Sequence, residues 1–385
     1  MSNEQRVTSN ELKAKESDGL RLYWGRGYPG GHPRPKAYPT HPCVFSFARC
    51  FFLAALLCIL VSCNSKREHV LTGRTMGTTY TVKVVTGYFG SVAGLQEKID
   101  RRIDEINCSM SPHLTDSEIS RFNRFRQAGI EFPVSADFLR VMKVAARIYA
   151  LSEGAWDGTV NPLVDLWGFG RAGRAGQVPP AEKIAAALAD VGFSKIDVRD
   201  SGALVKREAS VTLDLSSIAK GYGVDQAADV VRAAGFTDFL VEIGGEVVAA
   251  GLRPDGLPWR VGINRPKPEA GLHEIYKVVS LKDQALATSG DYRQFFVQGG
   301  IRYSHIIDPR TGYPVANRVV SVSILAGDCT LADGLATGVM VMGAEKGLAL
   351  IDRLEGVQGL IVVEMLDGRL QEHASPGILL EPAPR

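Results

Sequence analysis

The sequence predicts an α+β fold with a mixed or antiparallel sheet and packed helices, in one large domain that could comprise two lobes. Helical and strand-like segments are interspersed irregularly, whereas a doubly wound parallel sheet needs a regular alternation of strand and helix. From Cys63 onward about 320 residues remain (385 minus 62), enough for one large domain or two small ones. No low-complexity insert or long linker divides them, which favours the single domain.

The first predicted elements of this domain are one strand and two helices. Residues 80–85 are rich in β-branched side chains, which favour a strand. A helix follows, with one apolar stripe formed by Leu95, Ile99, Ile103 and Ile106. Ser135 is placed to cap the next helix. The buried face of that helix is predicted to carry Phe138, Leu139, Met142, Ala146 and Tyr149.

The second half of the chain contains further strands, separated by Gly, Pro and Asn turns. Residues 211–215 are predicted to form a strand that runs directly into a helix over residues 218–234. An Ala-rich helix is predicted over residues 331–342 and another over residues 344–354. The other predicted strands cover residues 239–243, 259–263, 277–281, 319–324 and 360–363.

An apolar run over residues 51–62 precedes the predicted domain. It is shorter than the roughly 20 apolar residues of a membrane-spanning helix, and basic residues flank it on both sides. It ends in Leu-Val-Ser-Cys63, which resembles the lipobox of bacterial lipoproteins, where the signal is removed and the cysteine is lipidated. The alternative is a buried core helix. We expect an exported protein that is lipid-anchored through Cys63 on the periplasmic side of a bacterial membrane.

The predicted boundaries follow from this processing site. Residues 1–62 form the leader, residues 64–70 a short polar tether, residues 71–370 the main domain and residues 371–385 a C-terminal tail. The leader is long and rich in Pro, Gly and Arg before its apolar run. Either the true start codon lies downstream of Met1, or residues 1–44 form a disordered extension.

Composition limits the classes of partner and metal. The formal net charge is only +2, so no broad positive field favours nucleic acid, and we expect none to bind. Four of the six cysteines lie in or beside the leader, which leaves Cys108 and Cys329 in the domain. These two could form one disulfide or could be isolated thiols. There is no CxxC motif or Cys/His cluster that would indicate structural zinc.

The first polar cluster that could carry chemistry is Asp333 with Thr337. The two residues are one helical turn apart, so a carboxylate and a hydroxyl project from the same face of the helix. Magnesium prefers oxygen ligands and often takes only one or two carboxylates. The alternative is a surface aspartate beside a threonine that bonds back to its own helix.

A second cluster occupies residues 212–223, where a predicted strand, an oxygen-rich turn and a helix meet. Ser216 and Ser217 could simply cap the helix. A helix N-terminus also attracts phosphate, and Lys220 adds a positive charge in its first turn. The segment is not a Walker A loop, because the spacing of that motif is absent, and both alternatives stay open.

Two further segments place aromatic and titratable residues in loops. In residues 154–163, Trp156 could stack on a flat ring and Asp157 could accept hydrogen bonds from ring nitrogens. The alternative is an aromatic residue that anchors the loop in the core. In residues 303–312, His305 follows a predicted strand and could act as a general acid or base, or donate to a phosphate. A lone histidine can equally be structural.

Together these clusters resemble the ApbE-type flavin transferases, a family of FAD:protein FMN transferases. The resemblance covers nearly all of the chain after the leader, and it implies an ApbE-like fold for residues 71–370. The motifs that carry it, in order, are residues 75–80, 116–123, 154–163, 214–222, 288–292, 305–312 and 332–337.

The resemblance also implies a set of site residues. The residues implied to contact FAD are Met76, His113, Ala155, Trp156, Asp157, Asp214 and Lys220. Those implied to hold Mg²⁺ are Ser217, Asp333 and Thr337, and those in catalytic positions are His305 and Asp214. Trp156 stands where the family usually has Phe, and His113 where it commonly has a Tyr that covers the flavin.

The implied reaction is Mg²⁺-dependent transfer of FMN from FAD to a Ser or Thr hydroxyl of an acceptor flavoprotein, with release of AMP. Attack at a pyrophosphate phosphorus depends on positioning and charge stabilisation, so no covalent enzyme nucleophile is needed. Either His305 or Asp214 could take the proton from the hydroxyl, and the implied acceptor is a membrane redox subunit. The alternatives are an FAD pyrophosphatase that yields FMN and AMP, and a non-catalytic FAD-binding lipoprotein.

Overall fold

The computed structural model describes residues 65–383 apart from residues 171–172, 174–175 and 272–273. The predicted leader and Cys63 therefore lie outside the described residues. The strands in chain order are β1 (Lys66–Thr75), β2 (Thr78–Gly87), β3 (Glu131–Pro133), β4 (Ile196–Arg199), β5 (Ala203–Lys206), β6 (Phe239–Ile243), β7 (Glu246–Ala250), β8 (Trp259–Asn264), β9 (Ile275–Leu281), β10 (Gln284–Gly290), β11 (Phe295–Gln298), β12 (Ile301–Ser304), β13 (Val319–Ala326), β14 (Gln358–Glu364), β15 (Leu370–Ala374) and β16 (Leu380–Pro382). The helices are α1 (Leu95–Met110), α2 (Glu118–Arg124), α3 (Ala136–Leu151), α4 (Asn161–Leu166), α5 (Ala181–Leu188), α6 (Ala219–Ala233), α7 (Cys329–Met342) and α8 (Ala344–Asp352).

An eight-stranded sheet organises the domain, in the order β1-β2-β6-β7-β10-β13-β14-β15. Two three-stranded sheets, β16-β9-β8 and β3-β5-β4, and the β11-β12 hairpin complete the strand pairings. Among the described residues every paired strand is antiparallel. The predicted α+β class is confirmed. A mixed or antiparallel sheet was expected, and the sheet is antiparallel.

Both faces of the eight-stranded sheet are covered. One face packs against α1, α3, α6 and α7 in the main core. The other face packs against the β16-β9-β8 sheet, where Trp259 and Leu281 of that sheet join a core cluster with Leu286 of β10. All eight residues of β13 are buried, as expected for a central strand that is enclosed on both sides. A smaller cluster joins α4 and α5 to the β11-β12 hairpin.

The helices predicted from apolar spacing are present. The stripe of α1 is fully buried, as predicted. The side chain of Ser135 caps α3 by accepting a hydrogen bond from the Phe138 amide (3.2 Å), which confirms the predicted cap. The buried face of α3 is rotated from the predicted one, because Val141, Ala145 and Ile148 point inward while Leu139, Ala146 and Tyr149 are only partly buried.

Residues 211–215 do not form the predicted strand. The side-chain amide of Asn123 instead bonds both backbone groups of Leu213, with its Nδ2 donating to the carbonyl (2.8 Å) and its Oδ1 accepting from the amide (2.7 Å). The Asp214 amide donates to the carbonyl of Gly158 (2.7 Å). These contacts satisfy an extended segment without a neighbouring strand, so the β-branched pattern misled the prediction.

The predicted tether and tail were also wrong in the described part of the chain. The tether overlaps β1, which pairs with β2 from Lys66 to Thr75. The tail contains most of β15, at the opposite edge of the large sheet, and also β16. Edge strands face solvent and carry polar side chains, so their composition resembles that of a flexible segment.

Two further findings concern the cysteines and the helices. Cys108 is an exposed free thiol and Cys329 a buried one, so they do not pair. Within the described ranges, no helix combines the length and the apolar character that crossing a membrane would need.

Lys206 is an unusual core residue, since its side chain is fully buried and its ammonium lies 4.5 Å from the centroid of the Phe122 ring. Its Nζ has no hydrogen-bond partner. Burial, with a smaller contribution from the charge of Arg126, lowers the pKa of Lys206 from 10.5 to about 8. The charged amine is therefore less stable in the folded protein than in the unfolded chain.

We expect Lys206→Met to raise the free energy of unfolding at pH 7 by on the order of 1–3 kcal/mol. The unfolded chain binds more protons at Lys206 between about pH 8 and pH 10.5, so this lysine makes stability rise with pH across that interval. The stability difference between variant and wild type should therefore shrink as pH rises. Urea unfolding at several pH values measures this difference. Lys98→Met, at an exposed position, is the control and should show no such trend. If the difference between Lys206→Met and wild type did not depend on pH, the interpretation would be contradicted.

Candidate functional site

The site is built where α6 and α7 approach each other closely. Gly221 of α6 has no side chain, and a Cβ there would lie 2.3 Å from the carbonyl oxygen of Cys329 and 2.8 Å from the Cβ of Asp333. The Gly221 amide donates to Oδ2 of Asp333 (2.9 Å). This glycine therefore lets the backbone of one helix hold the buried carboxylate of the other.

Lys220, Glu246 and Asp333 form a charge cluster in which both carboxylates are buried and the lysine is partly exposed. Nζ of Lys220 lies 2.5 Å from Oε1 of Glu246, and both carboxylates are 3% exposed. Burial and the charge of Asp333 raise the pKa of Glu246 to about 7, against the opposing effect of Lys220. Burial also raises the pKa of Asp333. Burial alone would lower the pKa of Lys220, but the charges of the two carboxylates outweigh that effect and raise it. Glu246 therefore pairs directly with the one cation of the cluster, and Asp333 interacts with it through its charge.

Both ends of α7 are fixed by side chains of other segments. At its start, Asp225 of α6 accepts hydrogen bonds from the amides of Cys329 (2.9 Å) and Thr330 (2.8 Å). At its end, Nδ2 of Asn317 donates to the carbonyl of Met340 (2.8 Å). These contacts satisfy backbone groups that a helix end leaves unpaired, and they set the position of Asp333 along the helix.

Of the two hydroxyls predicted as Mg²⁺ ligands, that of Thr337 lies on α7 itself and that of Ser217 lies in the turn before α6. Oγ1 of Thr337 is 2.9 Å from Oγ of Ser289, at the end of β10. Oγ of Ser217 accepts a hydrogen bond from Nε1 of Trp156 (3.0 Å). The Cβ of Trp156 lies close to the α carbon of Gly338, because a Cβ built on that glycine would be 3.3 Å away. Trp156 therefore joins the Ser217 turn to the helix that carries Thr337.

A cavity of about 130 Å³ opens beside the charge cluster. Three of the predicted FAD contacts, Met76, His113 and Lys220, line it together with Asn107 and Ser216. Met76 lies in the two-residue turn between β1 and β2 at φ 49°, followed by a glycine at φ 74°, which is the geometry of a tight hairpin turn. The hairpin turn thus places the Met76 side chain at the cavity.

The predicted aromatic loop is built into the core. Ala155 and Trp156 are 1% and 2% exposed, so neither presents a free face. Oδ1 of Asp157 accepts from the amide (2.8 Å) and hydroxyl (2.5 Å) of Thr159, and Oδ2 accepts from the amide of Phe193 (2.8 Å). Burial raises the pKa of Asp157, and these donors oppose that rise. Contacts of these three residues with FAD stay predictions. In the structure all three are buried in the protein.

The two predicted catalytic residues lie on different segments. Oδ1 of Asp214 accepts from the amide of Ser216 (2.8 Å), which shapes the turn before α6. His305 follows β12, and its Nδ1 lies 3.2 Å from the carbonyl oxygen of Gln294. A carbonyl only accepts, so Nδ1 carries a proton and Nε2 remains an acceptor. Burial and the nearby charge of Arg302 lower the pKa of His305, which favours the neutral ring. His305 is not among the residues that line the cavity.

Comparison with known proteins identifies the family of this chain. The model of the ApbE family matches residues 76–361. The chain belongs to the ApbE family. A curated ApbE relative, the FAD:protein FMN transferase of Vibrio cholerae, is 45% identical over 326 residues, which cover 84% of this chain and 95% of that protein.

Solved ApbE structures match the fold described above. The flavin transferase ApbE from Vibrio cholerae superposes with a TM-score of 0.74 at 44% identity, covering 81% of this chain and 98% of that one. The apo form of the Pseudomonas stutzeri flavinyl transferase ApbE gives a TM-score of 0.72 at 37% identity, covering 81% of this chain and 95% of that one.

Some site residues were not predicted from the sequence. Glu246 was missed because a single glutamate after two glycines has no distinctive spacing, although that Gly-Gly turn was a possible signal. Asp225 and Asn317 were missed because they act on backbone groups more than 20 residues away in sequence. Their partners become visible only when the helices are packed.

Proposed function

We propose that this chain is a Mg²⁺-dependent FAD:protein FMN transferase, which moves FMN from FAD to a Ser or Thr hydroxyl of an acceptor flavoprotein and releases AMP. Similarity to proteins of that name supports the reaction class. The observation that carries the proposal is Lys220, which lines the cavity and belongs to the charge cluster. A cation at a cavity suits a bound pyrophosphate.

The residues present fit a hard divalent cation. The carboxylate of Asp333 with the hydroxyls of Thr337 and Ser217 would supply oxygen ligands. With both acids ionised, the cluster has one more negative than positive charge, and Oε2 of Glu246 is buried without a hydrogen-bond partner. A bound Mg²⁺ would polarise the phosphoryl oxygens and neutralise developing charge.

The other residues would bind and orient FAD and accept a proton. Lys220, in the first turn of α6, would hold the diphosphate, while Met76 and His113 would contact the flavin. His305 suits the role of general base, because its ring is favoured as neutral and Nε2 is free of the Gln294 contact. Asp214 already accepts a backbone hydrogen bond, so we favour His305 as the residue that takes the hydroxyl proton.

One assay tests the proposal. The protein is incubated with FAD, Mg²⁺ and an acceptor flavoprotein, and covalent flavin fluorescence is measured in a denaturing gel. Labelled acceptor with stoichiometric AMP supports the transferase. Release of FMN and AMP without labelled acceptor would instead identify a pyrophosphatase, and bound but unchanged FAD a binding protein.

We expect Glu246→Gln to lower the labelling rate roughly 10-fold or more, because the ammonium of Lys220 loses the buried charged partner that positions it at the cavity. Glu242→Gln is the matched control, since Glu242 lies in the preceding strand and bonds the amide of Gly245 (2.7 Å). Initial rates of acceptor labelling at saturating FAD measure both variants. Equal rates for the two would show that Glu246 does not position Lys220.

We also propose that the protein is exported and lipid-anchored at Cys63, on the periplasmic side of the membrane, where a membrane redox subunit is the acceptor. The apolar run before Cys63 and its small-residue ending support this. Cys63→Ala should move the protein from the membrane fraction to the soluble fraction or leave it as unprocessed precursor. Unchanged membrane association with complete processing would contradict the anchor.

A further inference from the structure

Two aromatic side chains are exposed at the end of β2. Tyr88 is 60% and Phe89 87% exposed, and their ring centroids lie 5.0 Å apart in an edge-to-face arrangement. They occupy the loop between β2 and α1, and the chemistry proposed above makes no use of them. Two adjacent exposed aromatic rings form a small apolar patch, and such patches commonly mark an interaction surface.

The length of the chain limits the distance between this loop and the predicted point of lipid attachment. β1 and β2 pair in the register Lys66 with Gly87, so the first residue of β1 is beside the residue that precedes Tyr88. Cys63 lies three residues before Lys66, and three residues span at most about 10 Å. A lipid on Cys63 would therefore hold this end of the hairpin at the bilayer surface.

The charges around the loop are compatible with a lipid surface. Lys66 is paired with Asp238 (2.7 Å) and Lys83 with Glu68 (3.2 Å), so this end carries little excess negative charge. Tyrosine favours the interfacial region of a bilayer, and phenylalanine the boundary with the acyl chains. One acyl chain alone gives weak and reversible binding, so an anchor gains from a second contact.

We propose that Tyr88 and Phe89 form a membrane contact, and that they insert into the bilayer surface beside the lipidated Cys63. This inference rests on the lipid anchor proposed above. Met76 lies at the other end of the same hairpin, where it lines the cavity. β2 has ten residues, which span about 33 Å, so the contact would orient the cavity away from the bilayer.

The test uses tryptophan fluorescence of the processed, lipidated protein, which begins at Cys63, in phosphatidylcholine vesicles whose acyl chains carry bromine, a contact quencher. Phe89→Trp introduces a probe in the loop, and Thr79→Trp introduces a control at an exposed position eight residues from Gly87 on the same strand. The native Trp156, Trp167 and Trp259 are at most 2% exposed, so they contribute an unquenched background.

We expect brominated lipid to quench the position 89 probe at least threefold more than the position 79 probe. Equal quenching at both positions, or none at position 89, in protein whose lipidation is verified by mass spectrometry would overturn the membrane contact. Absence of the lipid would also overturn it, since its premise is lost. Acceptor labelling is measured on the same samples, so failure of the contact is distinguished from failure of the transferase.

Discussion

Asp333→Asn should reduce covalent flavin labelling of the acceptor on the order of 10³-fold, the loss of rate expected when a metal site that stabilises phosphoryl charge is disabled. The substitution keeps the size of the side chain but removes its negative charge. The buried site would then contain Lys220 with Glu246 as its only carboxylate partner, and the proposed cation would lose its one charged ligand. Labelling rates across a Mg²⁺ titration measure the effect.

Asp225→Asn is the matched control for this variant. Asp225 is a partly buried carboxylate whose pKa burial also raises, to about 6, but it bonds the start of α7 and is not one of the proposed Mg²⁺ ligands. We expect it to lower stability by about 1–3 kcal/mol and to reduce labelling far less than Asp333→Asn does, because it removes no proposed Mg²⁺ ligand. If Asp333→Asn retained full labelling with divalent ions chelated, the metal role of Asp333 would be refuted.

Gly221→Ala should destabilise the fold by about 3 kcal/mol and also impair labelling. The added methyl group would meet backbone atoms of Cys329, which cannot move aside as a flexible side chain could. Separation of the helices would also break the hydrogen bond from the Gly221 amide to Asp333. The gain of about 1 kcal/mol in helix propensity from glycine to alanine is too small to offset this clash.

Gly327→Ala is the control for the second variant. Gly327 precedes α7, and a Cβ there would have no heavy atom within 4 Å. Its substitution should change the free energy of unfolding by less than about 0.5 kcal/mol. Urea unfolding and labelling are measured for both variants. Equal stability of the two would mean that the approach of α6 to α7 tolerates a side chain.

The sequence predicted those parts of the fold that depend on local spacing. The apolar stripe of α1 and the Ser135 cap are set by residues three or four apart, so their pattern is visible in the chain. The extended segment at residues 211–215 was misassigned because Asn123, 90 positions away from Leu213, supplies the pairing. Nothing local separates a strand from a segment that a distant amide satisfies.

The site residues also fall into those that local spacing predicts and those that depend on distant contacts. Asp333 and Thr337 share a helix face and could be named from their spacing, whereas the link from Lys220 to Glu246 depends on the register of the sheet against α6. Trp156 was predicted to meet a ligand, yet its indole donates to Ser217 inside the protein. Aromatic residues suit both roles equally, so only the packed structure distinguishes them.

The fixed ends of α7 have a consequence for local unfolding. Twelve of its fourteen residues are buried, and Asp225 and Asn317 hold its two termini. A helix that cannot fray from either end opens only together with the rest of the domain, so its amide protons should exchange with solvent at the rate of global unfolding. Asp333 would then keep one position through every catalytic cycle, and substrates would have to adapt to it.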